Sequence, residues 1–278
     1  MNIYDLKKQL SKITKLKGIN NYESYSLQDL KKLPKFNGFC ELKFNEISFY
    51  MINISNDDAI PLKYLWRNKY ENLSLNIWYE ITRKEGYFFD IGAHTGIYSI
   101  IGNLNKKQNN IISIEAYFLN YSRLLSNLKI NNIATNNCFL AAASNTEGIA
   151  KFSVTSPAGY HSQGGKISTI GNFNISKNKI DNFKLDKKVD GIKIDTEGHE
   201  FEVLQGAKNY IKKDMPDIIL EINKNCFDRC LSFLLPIGYK AYYLDEKNNK
   251  IERINQFTDN LIQQEGSNCY LSVNSDML

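Results

Sequence analysis

The chain has 278 residues and a net charge of +5, and eight lysines against three acids lie within residues 1 to 40, leaving 27 charges of each sign in the rest. A basic segment on a neutral body excludes a nucleic-acid protein with a basic groove across its whole surface, and 42% hydrophobic with 12% aromatic content excludes wholesale disorder. No apolar run approaches the roughly 20 residues of a membrane span, and the N-terminus lacks the apolar stretch and cleavage site of a secretory signal, so a soluble cytoplasmic protein is expected.

Ile3, Leu6, Leu10, Ile13 and Leu16 recur at three- and four-residue steps with lysines between them, as an amphipathic helix ending near Gly18 requires. That basic helix could also contact a partner or an acidic surface. From Glu41 to Ile54 the pattern shortens to alternation, split at the turn-prone Asn45, and reads as a β-hairpin. Residues 62 to 83 return to helical spacing through Leu65, Trp66, Leu73, Ile77, Trp78 and Ile81. The reading divides the chain into an N-terminal appendage over 1–69 and a larger domain over 70–278.

After Gly86 apolar strands alternate with helices. The expected strands are Tyr87 to Phe89, Ile111 to Ile114, Cys138 to Ala142, Val189 to Ile194 and Ile218 to Ile222. Such alternation implies crossovers and an α/β fold with a mainly parallel sheet. Tyr239 to Leu244 and Cys269 to Val273 carry further strand patterns around the polar stretch Asp245 to Lys250, as a terminal hairpin-like pair. The five cysteines, at 40, 138, 226, 230 and 269, are odd in number and scattered, so they read as thiols rather than as a disulfide framework or a zinc site.

The first of these strands runs into Asp90, Gly92 and Gly96, the turn beyond a strand's carboxyl end where ligands of open parallel sheets lie. His94 stands where a dinucleotide fingerprint has its second glycine, which disfavours a nicotinamide cofactor. Glu115 ends the second strand, nineteen residues after Gly96, at a spacing where a carboxylate meets ribose hydroxyls. These features together suit a nucleoside-like ligand such as S-adenosylmethionine.

The segments DIGAHTGIYSI, IEAYFLNYSRLLSNLKINN, LAAASNTEG, VDGIKIDTEGHEFEVLQGA and PDIILEI resemble, in order and spacing, the motifs of the FkbM-type S-adenosylmethionine-dependent methyltransferases over about residues 70 to 240. The resemblance implies a class I methyltransferase fold, Rossmann-like, with a mostly parallel seven-stranded sheet and helices on both faces. It implies S-adenosylmethionine as cofactor and methyl transfer, usually to oxygen, on a small-molecule or glycan acceptor. Cofactor roles fall on Asp90, Gly92, Gly96 and Glu115, with Ala142 and Ser144 on the adenine side and His94 shaping the loop. Ala116 and Tyr117 stand where a proline is common in the family.

Methyl transfer to a hydroxyl needs alignment and removal of one proton. Asp195, Glu197 and His199 follow the fourth strand and are the candidate catalytic residues, Asp195 for orientation and the other two as bases; acids there would equally suit the start of a helix. His161, in a Gly-rich segment, is a further loop histidine. Lys193 and Glu221 lie inside apolar strands expected to be neighbours, so they should pair or share one network. Asp195, Glu221 and Asn223 offer oxygen ligands, but no metal is assigned.

Overall fold

The computed structural model describes residues 3–105, 110–154, 165–262 and 267–274. Helix α1 (Ile3–Lys17) buries Ile13 and leaves Lys8, Lys12 and Lys15 in solvent. In α2 (Leu27–Lys32) the Ser26 hydroxyl caps the helix by accepting the Asp29 N–H at 3.2 Å. The hairpin is β1 (Asn37–Phe44) with β2 (Ile47–Ile54), turned at Asn45, whose φ of 50° lies in the left-handed region that asparagine tolerates. Helices α3 (Ala59–Arg67) and α4 (Asn72–Ile81) follow.

The alternation then gives β3 (Tyr87–Ile91), α5 (Ile97–Asn105), β4 (Ile111–Glu115), α6 (Phe118–Ile130) and β5 (Cys138–Leu140). The single strand expected over 138–142 is two. The chain leaves the main sheet at Ala141, whose N–H bonds the Glu115 carbonyl at 3.1 Å, and Ala142 and Ala143 pair instead with Lys177 and Asn178. They form β6 (Ala142–Ala143) of a second sheet with β7 (Gly148–Ser153), β8 (Lys166–Ile167) and β9 (Phe173–Asn178), in the order β6-β9-β7-β8. The chain returns through β10 (Val189–Ile194), α7 (Glu200–Gly206), α8 (Lys208–Asp214), β11 (Asp217–Glu221), α9 (Phe227–Leu234), β12 (Lys240–Asp245), β13 (Lys250–Ile254) and β14 (Asn268–Ser272).

The main sheet runs β13-β12-β14-β11-β10-β3-β4-β5. Seven of these strands are the expected ones, with β14 antiparallel to both of its neighbours. The eighth, β13, is an edge strand mostly exposed along its length, so no alternation betrays it in the sequence. Strand β10 is buried at every position because helices cover both faces, which is why it reads as a continuous apolar run.

One face packs under α4, α5, α6 and the β1–β2 hairpin, and the other under α7, α8 and α9. Ile13, Leu30 and Phe36 join Trp78, Phe88 and Ile100 in a single buried cluster, so residues 1–69 share a core with the body that follows. The strand order grows from β3 to β4 and β5, then resumes with β10 on the other side of β3. That reversal leaves a crevice at the carboxyl ends of β3 and β10.

Candidate active site

Gly92 leaves β3 at a φ of +75°, and a Cβ there would stand 1.7 Å from the Asp195 carbonyl oxygen. The glycine is therefore required by contact between the two loops that flank the crevice. The Asp195 N–H bonds the Ile91 carbonyl at 3.0 Å and ties the same loops together. Gly96 is favoured by its φ of +100°, which L side chains rarely adopt, while an added Cβ would press on Leu124 Cδ1 at 2.5 Å. Asp90 is buried beneath the turn, with Oδ2 accepting the Ser99 hydroxyl at 2.5 Å, and burial pushes its carboxyl up to about 6.

A cavity of about 250 Å³ fills the crevice. Glu115, 6% exposed, ends β4 at its wall, with Oε1 accepting the Tyr117 N–H and Oε2 the His94 N–H, both at 2.8 Å. Burial raises its pKa above the ordinary carboxylate value, opposed by these two bonds. His94 adopts a left-handed φ of 50°, turns its N–H to Glu115, and lines the cavity with a buried Nε2 that has no hydrogen-bond partner among the described residues. Ala141, Ala142 and Ala143 form a flat, small-residue wall beside it, completed by Phe152 and Ile167 of the second sheet.

Opposite stands the segment after β10. Lys193, 1% exposed, directs its ammonium to Asp195 Oδ2 at 3.2 Å and to Asn268 Oδ1 at 3.5 Å, and lies 5.1 Å from the centre of the Tyr98 ring. Burial disfavours its charge, but Asp195, Glu71 and Glu221 more than offset that and hold it protonated. The direct ion pair of Lys193 is thus with Asp195 rather than with the expected Glu221, which acts on the ammonium through its charge.

Glu197 takes a φ of 56° and lines the cavity, where burial, then Asp195 and Glu200, push its carboxyl up to about 8. Its turn is built by Glu200, fully buried at the start of α7. Oε1 of Glu200 accepts the N–H groups of Thr196 and Gly198 at 2.9 Å and the Thr196 hydroxyl at 3.0 Å, while Oε2 accepts the Cys226 thiol at 2.8 Å. His199 occupies the N-cap of α7. Its Nε2 lies 3.0 Å from the Ser144 hydroxyl and its Nδ1 3.6 Å from Glu202, and burial lowers its basicity.

Gly92, His94, Glu115, Ala142, Asp195, Glu197 and His199 therefore line one cavity, whereas Asp90, Gly96 and Ser144 do not line it. His161 lies outside the described residues. The sequence reading leaves out Glu71, Tyr70 and Lys63, which reach the cavity from α3 and the turn before α4. Glu71, at a φ of 41°, accepts the Tyr98 hydroxyl at 2.7 Å and the Asn268 amide at 3.1 Å on Oε2. It also leaves out Glu200, which no spacing rule singles out because its partners are backbone groups of the preceding turn. Oε2 of Glu221 is buried without a partner among the described residues, and burial holds that carboxyl well above its ordinary value. Asp195, Glu197 and Glu221 bring carboxylate oxygens within 4.8 Å of one another, a spacing that could hold a cation; the Lys193 ammonium already serves Asp195.

The family described as methyltransferase FkbM domain matches residues 90–242, more than half of the chain. The chain belongs to this family. Its fold is that of the class I methyltransferases. The FkbM methyltransferase from Methylobacillus flagellatus KT superposes with a TM-score of 0.43 at 14% identity, over 88% of this chain and 57% of that one, so the chain spans little more than half of that protein. The precorrin-6y C5,15-methyltransferase of Geobacter metallireducens GS-15 gives 0.40 at 15% identity over 71% and 85% of the two chains. The M. jannaschii TYW2 structure in complex with AdoMet gives 0.39 at 13% identity over 86% of each. A comparison with curated protein sequences finds no match. Among the described residues no helix is long and apolar enough to cross a membrane.

The FkbM site fits S-adenosylmethionine on its own chemistry. Each Glu115 oxygen takes one backbone N–H and keeps a lone pair for a ribose hydroxyl. The orphaned Nε2 of His94 offers a further polar contact beside it. Glu71, Asp195, Glu197 and Glu221 place four carboxyl groups around the cavity, and a bound sulfonium or ammonium would favour the ionised form of the two whose pKa burial raises.

Proposed function

We propose that this FkbM-family protein is an S-adenosylmethionine-dependent O-methyltransferase acting on a hydroxyl of a small molecule or glycan. When bound, S-adenosylmethionine supplies an electrophilic methyl group, so that the acceptor's O–C bond forms as the S–C bond breaks and a neutral thioether leaves. Glu115 holds the ribose end, with His94 and Tyr117 fixing its carboxylate, and the alanine wall accepts the flat base. Asp195, restrained by Lys193, orients the reacting groups.

The observation that carries the reading is Glu197. A carboxyl raised to about 8 and presented on a left-handed turn at the cavity wall matches a base that must take a hydroxyl proton near neutral pH. His199 is engaged at both ring nitrogens and shapes the wall beside it. The exposed lysines of α1 support an additional contact with a partner or an acidic surface.

The test is calorimetry with S-adenosylhomocysteine followed by a labelled-methyl screen of fractionated cell extract. Binding, with label recovered in an ether linkage, is expected. Absence of binding, or label recovered only on nitrogen or carbon, overturns the proposal at its first or second step.

A further inference from the structure

Beside the cavity lies a second cleft of about 1310 Å³. It runs between residues 21–26 and 63–72 on one side and the β12–β13 hairpin with residues 260–262 on the other. Lys63, Tyr70 and Glu71 line both spaces, so the cleft and the cavity share a wall.

The described lining of the cleft mixes four basic side chains with five acidic ones. Lys69 pairs with Glu23 at 3.3 Å. Glu246 accepts the N–H groups of Leu73 and Ser74 at 2.9 Å, and Asp245 accepts those of Lys247 and Asn248 at 3.2 and 3.0 Å. With acids and bases interleaved, the cleft lacks the one-sign field that gathers nucleic acid or another polyanion. Among the described residues Leu261 and Ile262 are its aliphatic lining, too little for a lipid chain or a hydrophobic macrocycle.

What a ligand would meet is carboxamide and phenol, although Asn21, Asn248 and Asn260 each commit one side-chain atom to a local bond, to the Glu23 N–H, the Asp245 carboxylate and the Thr258 hydroxyl, and offer the other. Asn21, Asn248, Asn249 and Asn260 line the cleft with Tyr25. A carboxamide donates and accepts on one side chain, as does the sugar hydroxyl it would meet, and an aromatic ring covers the C–H face of a pyranose. The volume exceeds the roughly 300–1,000 Å³ that holds a drug-sized molecule, so more than one ring fits.

We infer that this cleft binds a neutral oligosaccharide, the acceptor, laid so that one hydroxyl passes Tyr70 and Glu71 to reach Glu197. The inference rests on the methyltransferase reading and narrows its acceptor to an extended, uncharged glycan.

The test uses the full chain, with S-adenosylhomocysteine affinity measured first by calorimetry. Labelled methyl transfer is then followed to neutral saccharides of one to six rings spanning several ring configurations, to sulfated counterparts, and to long-chain alcohols. Label in the neutral oligosaccharides is expected, with KM falling as rings are added. Ser24→Trp and Lys247→Trp, exposed residues on opposite sides of the cleft, should each raise the KM of the longer acceptors about tenfold while S-adenosylhomocysteine affinity stays within about twofold. If S-adenosylhomocysteine binds but the label enters only alcohols or sulfated chains, enters no saccharide, or shows no dependence on length or on either substitution, the inference is overturned and the methyltransferase reading stands. If S-adenosylhomocysteine does not bind, both fall together.

Discussion

The Glu200 carboxylate accepts the N–H of Gly198 at 2.9 Å, and the turn that carries Glu197 is folded around that bond. Glu200 has no exposed surface and does not line the cavity. Removing it leaves the part-buried N–H groups of Thr196 and Gly198 without that acceptor and the Cys226 thiol with the Asn223 carbonyl at 3.8 Å, at about 1–3 kcal/mol for an unsatisfied group. Glu200→Ala should lower unfolding stability by about 2–4 kcal/mol in urea titrations and abolish methyl transfer, with Glu200→Gln milder in both because one oxygen remains.

Glu197 sets the pH dependence. A carboxyl raised to about 8 is protonated at neutral pH, so transfer should rise with pH through that value, and Glu197→Gln should be slow and flat across it. The linkage has the opposite sense for stability. The folded state holds the proton more tightly than the unfolded chain, so stability from this group is present below the ordinary value of 4.5 and is lost as pH rises toward 8. Chemical denaturation between pH 5 and 9 should show the wild type losing more stability than Glu197→Gln over that window.

Glu115 separates binding from folding. Glu115→Gln keeps one carbonyl oxygen for a backbone N–H but loses the charge and one acceptor toward the ribose, and should weaken S-adenosylhomocysteine at least about tenfold by calorimetry. Its melting temperature in the absence of ligand should shift less than that of Glu115→Ala, which strands both N–H groups.

Lys193 makes a sharper demand. Its ammonium is the compensating charge for Asp195 and acts on Glu221 and Glu71. Lys193→Met leaves those acids uncompensated, at about 1–3 kcal/mol, because the Asp195 side chain is 34% exposed and water takes up part of the lost pairing. Circular dichroism melts should show the loss, and it should shrink at acid pH as the carboxylates become protonated.

The two glycine turns give a controlled comparison. Gly92→Ala meets the Asp195 carbonyl as well as an unfavourable φ, whereas Gly148→Ala meets only the φ of +114° with nothing within 4 Å. Gly148→Ala should cost about 1–2 kcal/mol, and Gly92→Ala should cost more and also eliminate S-adenosylhomocysteine binding.

The legible parts of the fold were those where burial is one-sided or complete. The hairpin showed through Leu42, Phe44, Ile47, Phe49 and Met51, and β10 through its apolar run, because packing fixes those residue types. The second sheet was hidden: β7 exposes Ile149 at 75%, and β6 and β8 are two residues each, so neither alternation nor length marks them. In the site, Gly92, Glu115 and Asp195 follow strands directly and could be placed by spacing. Glu71 could not, since its bond to Asn268 spans 197 positions and depends on strand order alone.

That strand order also has a temporal side. Strand β14 lies between β11 and β12, yet it is made after both, so the two cannot occupy their final places until residues 268–272 have left the ribosome. Until then the β12–β13 hairpin has no seat, and Asn268 is absent from Lys193, Ser74 and Glu71. The acidic wall of the cavity is therefore closed by a late insertion into the middle of the sheet, and the growing chain passes through a stage with its glycine turn complete and its pocket still open on one side.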